Sequence, residues 1–286
     1  MTAFWGRMVR VRAGLAGALG LEWSSTDVSG RPEGMRLAAN IKLTDAAEPD
    51  TATVQVWNPE AGALAILRSK NTSVMIEAGY LEGGPSLLFV GDVEPDGAAS
   101  RRDGPDIIVE AKLADSRLAF HGARLYEEFA GPVRTSDLLR RLATAMGLPT
   151  PTLPQDMQDL TYGRGYAVSG LARRALDAIC RDAGVRWLVQ QGQMVVSKIG
   201  APAIGVASVP VWVTPDTGLV GSPTREERGV GFVSLLNPML RPRGLALLGA
   251  ADLGGIYLIK AVEHRLDSAG GDFYSEVHAV TMEAAA

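Results

Sequence analysis

The hydrophobic period changes twice along this chain, and few folds accommodate that. Met35, Leu37, Ala39, Ile41 and Leu43 fall at every second position, as in a strand with one face in a core. Between Leu138 and Ala183 the apolar residues recur every three or four positions instead, which is a helical stripe. Beyond Gly200 the strand pattern returns. The fold class this implies is mainly β with an α+β insert: two β-barrel-like domains bracketing a small helical and hairpin domain. At 286 residues the chain exceeds the usual single core. The expected divisions are 1–118, 119–200 and 201–286.

Local signals fill in this outline. Thr51–Trp57 reads as a strand ended by Asn58-Pro59. Ser73–Tyr80 and Ser86–Glu94 form a predicted hairpin, with another strand at Asp106–Lys112 after a polar turn over Ser100–Pro105. Glu60–Leu67 is a candidate short helix. Thr135 or Ser136 is placed to cap a helix running to Met146, which Gly147 and Pro149 stop. Ser169 is the expected cap of a second helix carrying Leu171, Ala172, Ala175, Leu176, Ile179 and Ala183. Val185–Gln190 and Gln193–Lys198 flank the turn pair Gln191-Gly192. Gly221-Ser222-Pro223 reads as a turn and Gly229–Leu236 as a strand. Pro238–Gly244 reads as a loop, and Ala246–Ala250, Gly255–His264 and Asp272–Met282 as further strands. The 33 glycines and 16 prolines suit a chain with this many turns.

Residues that could carry chemistry are sparse. Cys180 lies beside the apolar stripe of the second helix, far in sequence from any histidine, and reads as a buried small hydrophobe. His264 and His278 fall in adjacent predicted strands and could face each other, but two histidines without a third ligand do not make a zinc site. The pairs Glu127-Glu128 and Glu226-Glu227 point to opposite faces of a strand, so neither pair is a glycosidase dyad. No phosphate-cradling glycine loop and no Gly-x-Ser-x-Gly elbow occurs. No catalytic, cofactor-binding or metal residue is nominated. Lys and Arg number 28 against 32 Asp and Glu, so no basic excess marks a nucleic-acid binder. Arg7, Arg10 and Arg12 before Ala13–Leu21 faintly echo a signal peptide, yet three glycines interrupt that run and strand and turn fit it better. No stretch has the length of a membrane span, and no stable membrane insertion is expected.

The order of several short patterns resembles the baseplate hub proteins of phage tails, of the myovirus type and related to type VI secretion spike hubs. The C-terminal part of the resemblance runs through Gly221-Ser222-Pro223-Thr224-Arg225-Glu226, Leu236-Asn237-Pro238, Tyr257, His264 and Asp272-Phe273-Tyr274. The first part runs through Thr53–Asn58, Ala78-Gly79-Tyr80 and Phe89-Val90-Gly91-Asp92-Val93, and the two helices with the Trp187 hairpin resemble the hub insert. Arg241-Pro242-Arg243-Gly244 departs from the pattern, which usually runs Pro-Gly directly. The resemblance implies a structural virion protein, not an enzyme, without a cofactor. It implies a homotrimeric ring that adapts a sixfold tail tube to a threefold central spike and lets DNA pass through its lumen on ejection. The implied partners are the tail tube or distal tail protein, the spike, other baseplate proteins and the tape measure protein. The implied location is the tail baseplate, after assembly in the host cytoplasm. Arg140, Arg141, Arg173, Arg174, Arg225, Arg241 and Arg243 are the candidate interface residues. A tail-associated peptidoglycan hydrolase or a carbohydrate-binding β module is the alternative.

Overall fold

The computed structural model describes residues 6–15, 18–26, 33–46, 48–203, 209–250 and 252–285. Gly17, in the glycine-interrupted run near the N-terminus, lies outside them; its flanks form the antiparallel strands Arg7–Leu15 and Ala18–Ser24. Most of the chain is strand, as the period-two stretches require.

The first and last parts of the chain share one sheet. Its main path places Leu219–Glu226, Gly229–Leu235, Phe273–Thr281 and Gly255–Asp267 beside Leu37–Thr44. The path then continues through Thr51–Trp57, Asp106–Ala114, Gly84–Asp103, Thr72–Tyr80, Arg7–Leu15 and Ala18–Ser24. Val211–Val213 pairs in parallel with Leu245–Leu248, which joins the sheet along Gly255–Asp267. The sequence predicts two β-barrel-like domains, but their strands are hydrogen-bonded in one sheet, whose path does not close into a ring among the described residues. Instead, one edge of each β unit satisfies the other's backbone groups. Gly255–Asp267 and Leu37–Thr44 pair from Ala261↔Thr44 to Asp267↔Ala38, which removes two exposed edges at once.

This seam has two chemically distinct faces. Cross-strand register aligns Phe273, Leu266, Ala39, Val54 and Ala111 on the core side, and Val277, Val262 and Leu43 in another row. All of these are buried in a single apolar cluster drawn from both ends of the chain. On the opposite side lie Tyr274, Arg265, Asn40, Thr53 and Lys112, with Glu276, Glu263, Lys42 and Thr51 alongside. The polar groups there bind one another: Arg265 contacts Glu263 at 2.9 Å and Glu276 at 3.3 Å, and Asn40 donates to Glu263 at 2.9 Å.

The insert packs a second core, in which Leu138, Leu139, Leu142, Leu176 and Ile179 from two helices meet Val185, Trp187 and Val196. The first helix spans Thr135–Ala145 and the second Ala172–Asp182. Neither starts as expected. The cap of the first comes from afar, because Asp159 accepts from the Ser136 amide at 2.9 Å and from its hydroxyl at 3.1 Å. Ser169 lies within a strand, Tyr166–Leu171, that pairs with Arg124–Phe129, a strand without a clear sequence signal. Gly170, at φ 119°, stands near that strand's end, two residues before the helix begins. The expected turn at Gly221-Ser222-Pro223 is an irregularity inside a strand, where the register shifts between Val220 and Thr224.

Candidate functional site

The turn that departs from the hub pattern joins the insert to strands from the first and last parts of the chain. Arg243 adopts φ 66°, a left-handed conformation that disfavours any residue but glycine. Backbone bonds hold it there on both sides: its amide donates to the Ile259 carbonyl at 2.9 Å, and its own carbonyl accepts from Ala203 at 2.9 Å. The side chain is 1% exposed. Its guanidinium donates to the Ser197 hydroxyl and the Lys198 carbonyl of the insert hairpin, and it lies 3.7 Å from Asp45 at the end of a seam strand. Lys260 closes the group, 2.6 Å from the same carboxylate.

Arg241, two residues earlier, does the same at the hairpin tip. Its guanidinium donates to Gln191 Oε1 at 2.7 Å and to the Leu87 carbonyl at 3.1 Å. Gln191 and Gly192 have positive φ, as a tight two-residue hairpin turn needs. Gln191 Nε2 donates to the Leu87 carbonyl at 3.0 Å, and the Gly192 amide donates to Asp115 Oδ1 at 3.2 Å. Charge-assisted bonds of this kind are worth about 1.5–3 kcal/mol each when buried. Beneath the tip, burial pushes the Asp115 carboxyl up to about 6. Burial, aided by the charge of Asp115 and opposed by the Thr44 amide, pushes Asp50 up to about 8. Asp50 Oδ1 accepts from the Thr44 amide at 2.7 Å, while Oδ2 has no partner.

The other nominated arginines stand elsewhere. Arg140 pairs with Asp137 at 3.3 Å and Arg141 with Glu127 at 2.8 Å, both exposed on the insert. Arg173 lies over the Phe120 ring, 5.2 Å from its centroid. Arg174 and Arg225 are exposed and form no ion pair among the described residues. The structure thus gathers Arg241 and Arg243 at an internal junction and leaves the other five on outer surfaces. Sequence reasoning missed Asp45, Asp50, Asp115, Gln191 and Ser197 as junction residues. Asp45, Asp115, Gln191 and Ser197 find junction partners 46 to 215 positions away, Asp50 holds the Thr44 amide six positions away, and only the Gln191-Gly192 turn had a local signal.

The histidines do not converge. Register places His264 opposite Ser275 and His278 opposite Ala261, so the two rings point to opposite faces of the sheet. His264 is fully buried with Nδ1 2.8 Å from the Ser275 hydroxyl. Burial, with the nearby Arg241 charge, pulls its pKa down to about 3, so the ring is neutral. His278 meets Glu226 at 2.6 Å on the surface. Burial pushes the Cys180 thiol up to about 12, which makes it inert. Among the described residues no three His, Cys, Asp or Glu side chains gather in a way that could hold a metal ion. No described helix is long and apolar enough to cross a membrane.

An exposed apolar row lies at the far side of the C-terminal β unit. Trp212, Leu247 and Ile256 are register neighbours across three strands, on the face turned away from the core. Trp212 is 63% and Ile256 48% exposed. Aligned large apolar side chains left in water mark interfaces more than isolated ones do.

A protein-family model described as Baseplate hub gp41 matches residues 33–279. No curated protein matches the sequence. Among solved structures, the chain is similar to the prophage MuSo2 43 kDa tail protein from Shewanella oneidensis, with a TM-score of 0.60 and 10% identity. That match covers 98% of this chain and 99% of the other. A tail protein from Neisseria meningitidis MC58 matches with a TM-score of 0.62 and 10% identity, again over 98% and 99%. The E. coli c3393 protein matches with a TM-score of 0.57 and 8% identity, over 86% of this chain and 73% of that one. It is described as a component of the type VI secretion system with structural similarity to T4 bacteriophage tail proteins gp27 and gp5. At these identities the likeness to solved structures establishes the shared fold.

Proposed function

Because the chain belongs to the baseplate hub gp41 family, and so to the structural proteins of phage tails, we propose that it forms the ring joining tail tube to spike. In this reading three copies assemble around a lumen, each contributing two β units, so that six units face the sixfold tube and a threefold face receives the spike. DNA passes through the lumen without being held. The protein resides in the virion baseplate after assembly in the host cytoplasm, and it performs no catalysis. The boundaries 1–118, 119–200 and 201–286 are proposed as its two β units and the insert between them. Arg140, Arg141, Arg173, Arg174 and Arg225 are proposed contacts with the spike, the tube and neighbouring baseplate proteins.

The observation that carries this reading is the seam. Strand Gly255–Asp267 is hydrogen-bonded to Phe273–Thr281 on one side and to Leu37–Thr44 on the other. In this reading the continuous backbone pairing couples the two β units, as a subunit that transmits force between two symmetries requires. The Trp212, Leu247 and Ile256 row is the proposed contact with the next copy. Obligate contacts of this kind bury on the order of 2,000 Å² or more, and exposed tryptophans at their centres dominate binding. Native mass measurement tests it. The wild-type chain should appear near 91 kDa, three times its 30.2 kDa, and Trp212→Ser should shift the population to monomer. A wild-type chain that remains monomeric at high micromolar concentration overturns the proposal.

A further inference from the structure

From the outer edge of one insert strand we infer that the insert carries a docking groove for an extended acidic segment of another protein. Tyr166–Leu171 pairs on one side with Arg124–Phe129, and its other edge has no partner strand among the described residues. Helix Ala172–Asp182 flanks the groove that this edge borders, and Arg124, Tyr166, Ser169, Arg174 and Ala178 line it. The inference deepens the hub reading, and rests on it for the idea that the insert meets another tail protein.

Two independent features favour a strand-like visitor. Natural edge strands are defended by charge, proline or a bulge. Leu219–Glu226, at one end of the large sheet, has all three in Arg225, Pro223 and its register shift. Ala18–Ser24, at the other end, carries Glu22, which Arg12 binds at 3.0 Å. Tyr166–Leu171 has none of these protections in its sequence YAVSGL. Ala167 and Ser169 are exposed and small, and Gly170 has open space beside it, so a partner backbone can approach. The second feature is charge. Arg124 and Arg174 border the groove, both are exposed, neither forms an ion pair among the described residues, and no carboxylate lines it. Arg140 and Arg141, also exposed on the insert, already pair with Asp137 and Glu127. Tyr126, 70% exposed and in register with Ser169, offers an aromatic platform on the same sheet face. Strand addition supplies affinity through main-chain bonds, while the two guanidinium groups select carboxylates.

The test uses the full chain and a fluorescein-labelled decapeptide of alternating Glu and Val, read by anisotropy up to millimolar peptide. Saturable binding is expected, with an alternating Lys and Val peptide binding at least tenfold more weakly. Arg124→Ala and Arg174→Ala should each weaken binding about tenfold while leaving thermal unfolding unchanged. A peptide N-methylated at alternate residues, which cannot extend the ladder, should lose binding altogether. The inference is overturned by no saturable binding, by equal binding of the N-methylated peptide, or by insensitivity to both arginines. A groove occupied by a second copy would appear as concentration-dependent self-association abolished by Arg174→Ala, and would also overturn it. A chain that binds the peptide but never forms rings would refute the hub reading and leave the groove standing. Rings without peptide binding would do the reverse.

Discussion

Arg243→Ala should loosen the insert from the sheet without unfolding either core. The substitution removes a guanidinium that is 1% exposed and holds Ser197, Lys198 and Asp45 together. Breaking a buried charged group of this kind costs about 3–5 kcal/mol, mostly because its partners stay buried and unpaired. Asp45 keeps Lys260 at 2.6 Å, which places the expected loss at the lower end of that range. Alanine also retains the left-handed backbone, whereas glycine relieves a strain of about 1 kcal/mol there. Arg243→Gly should therefore be less damaging than Arg243→Ala by about that amount, although both lose the same bonds. In thermal unfolding, Arg243→Ala should lower Tm by roughly 10 °C. Hydrogen exchange should show the hairpin Val185–Lys198 losing protection, with Leu37–Thr44 unaffected. A loss below about 1 kcal/mol with unchanged protection of the hairpin would refute the reasoning. So would a glycine variant less stable than the alanine one.

Two further perturbations probe the same interior. The raised carboxyls of Asp50 and Asp115 stay protonated in the folded chain while they ionise in the unfolded one, so their contribution is fully present below about pH 4. It declines as pH rises, through about 6 for Asp115 and about 8 for Asp50. Asp50→Asn should flatten this decline and stabilise the chain at pH 8 relative to wild type, as denaturant melts across that window would show. An unchanged slope would contradict the burial argument. Cys180, buried and with its thiol pushed up to about 12, should resist maleimide labelling at pH 8 until the insert is unfolded. Rapid labelling of the native chain would contradict the packing described for that helix.

The alternation of buried residues made the strands legible, and the stripe from Leu138 to Ala183 made the two helices so. The hairpin Val185–Lys198 was legible down to its turn, because Gln191-Gly192 suits positive φ at both positions. Boundaries were lost where distant groups decide them. Asp159 caps a helix 23 residues upstream, and Ser169, a helix cap by local pattern, lies inside a strand that runs to Leu171. The seam was illegible for the same reason, because its register pairs residues more than 200 positions apart and either strand alone resembles an ordinary edge. Arg241 and Arg243, in a loop with two prolines, read locally as candidate interface residues. Only the arrival of the hairpin and of Asp45 from elsewhere in the chain explains their burial.

If three subunits close a ring, each contributing two β units joined by the seam, end-on class averages of the purified, assembled protein by electron microscopy should show threefold rings with six β units around an open lumen and the inserts projecting outside. Compact particles without a lumen, or rings in which the inserts fill the centre, would contradict that arrangement.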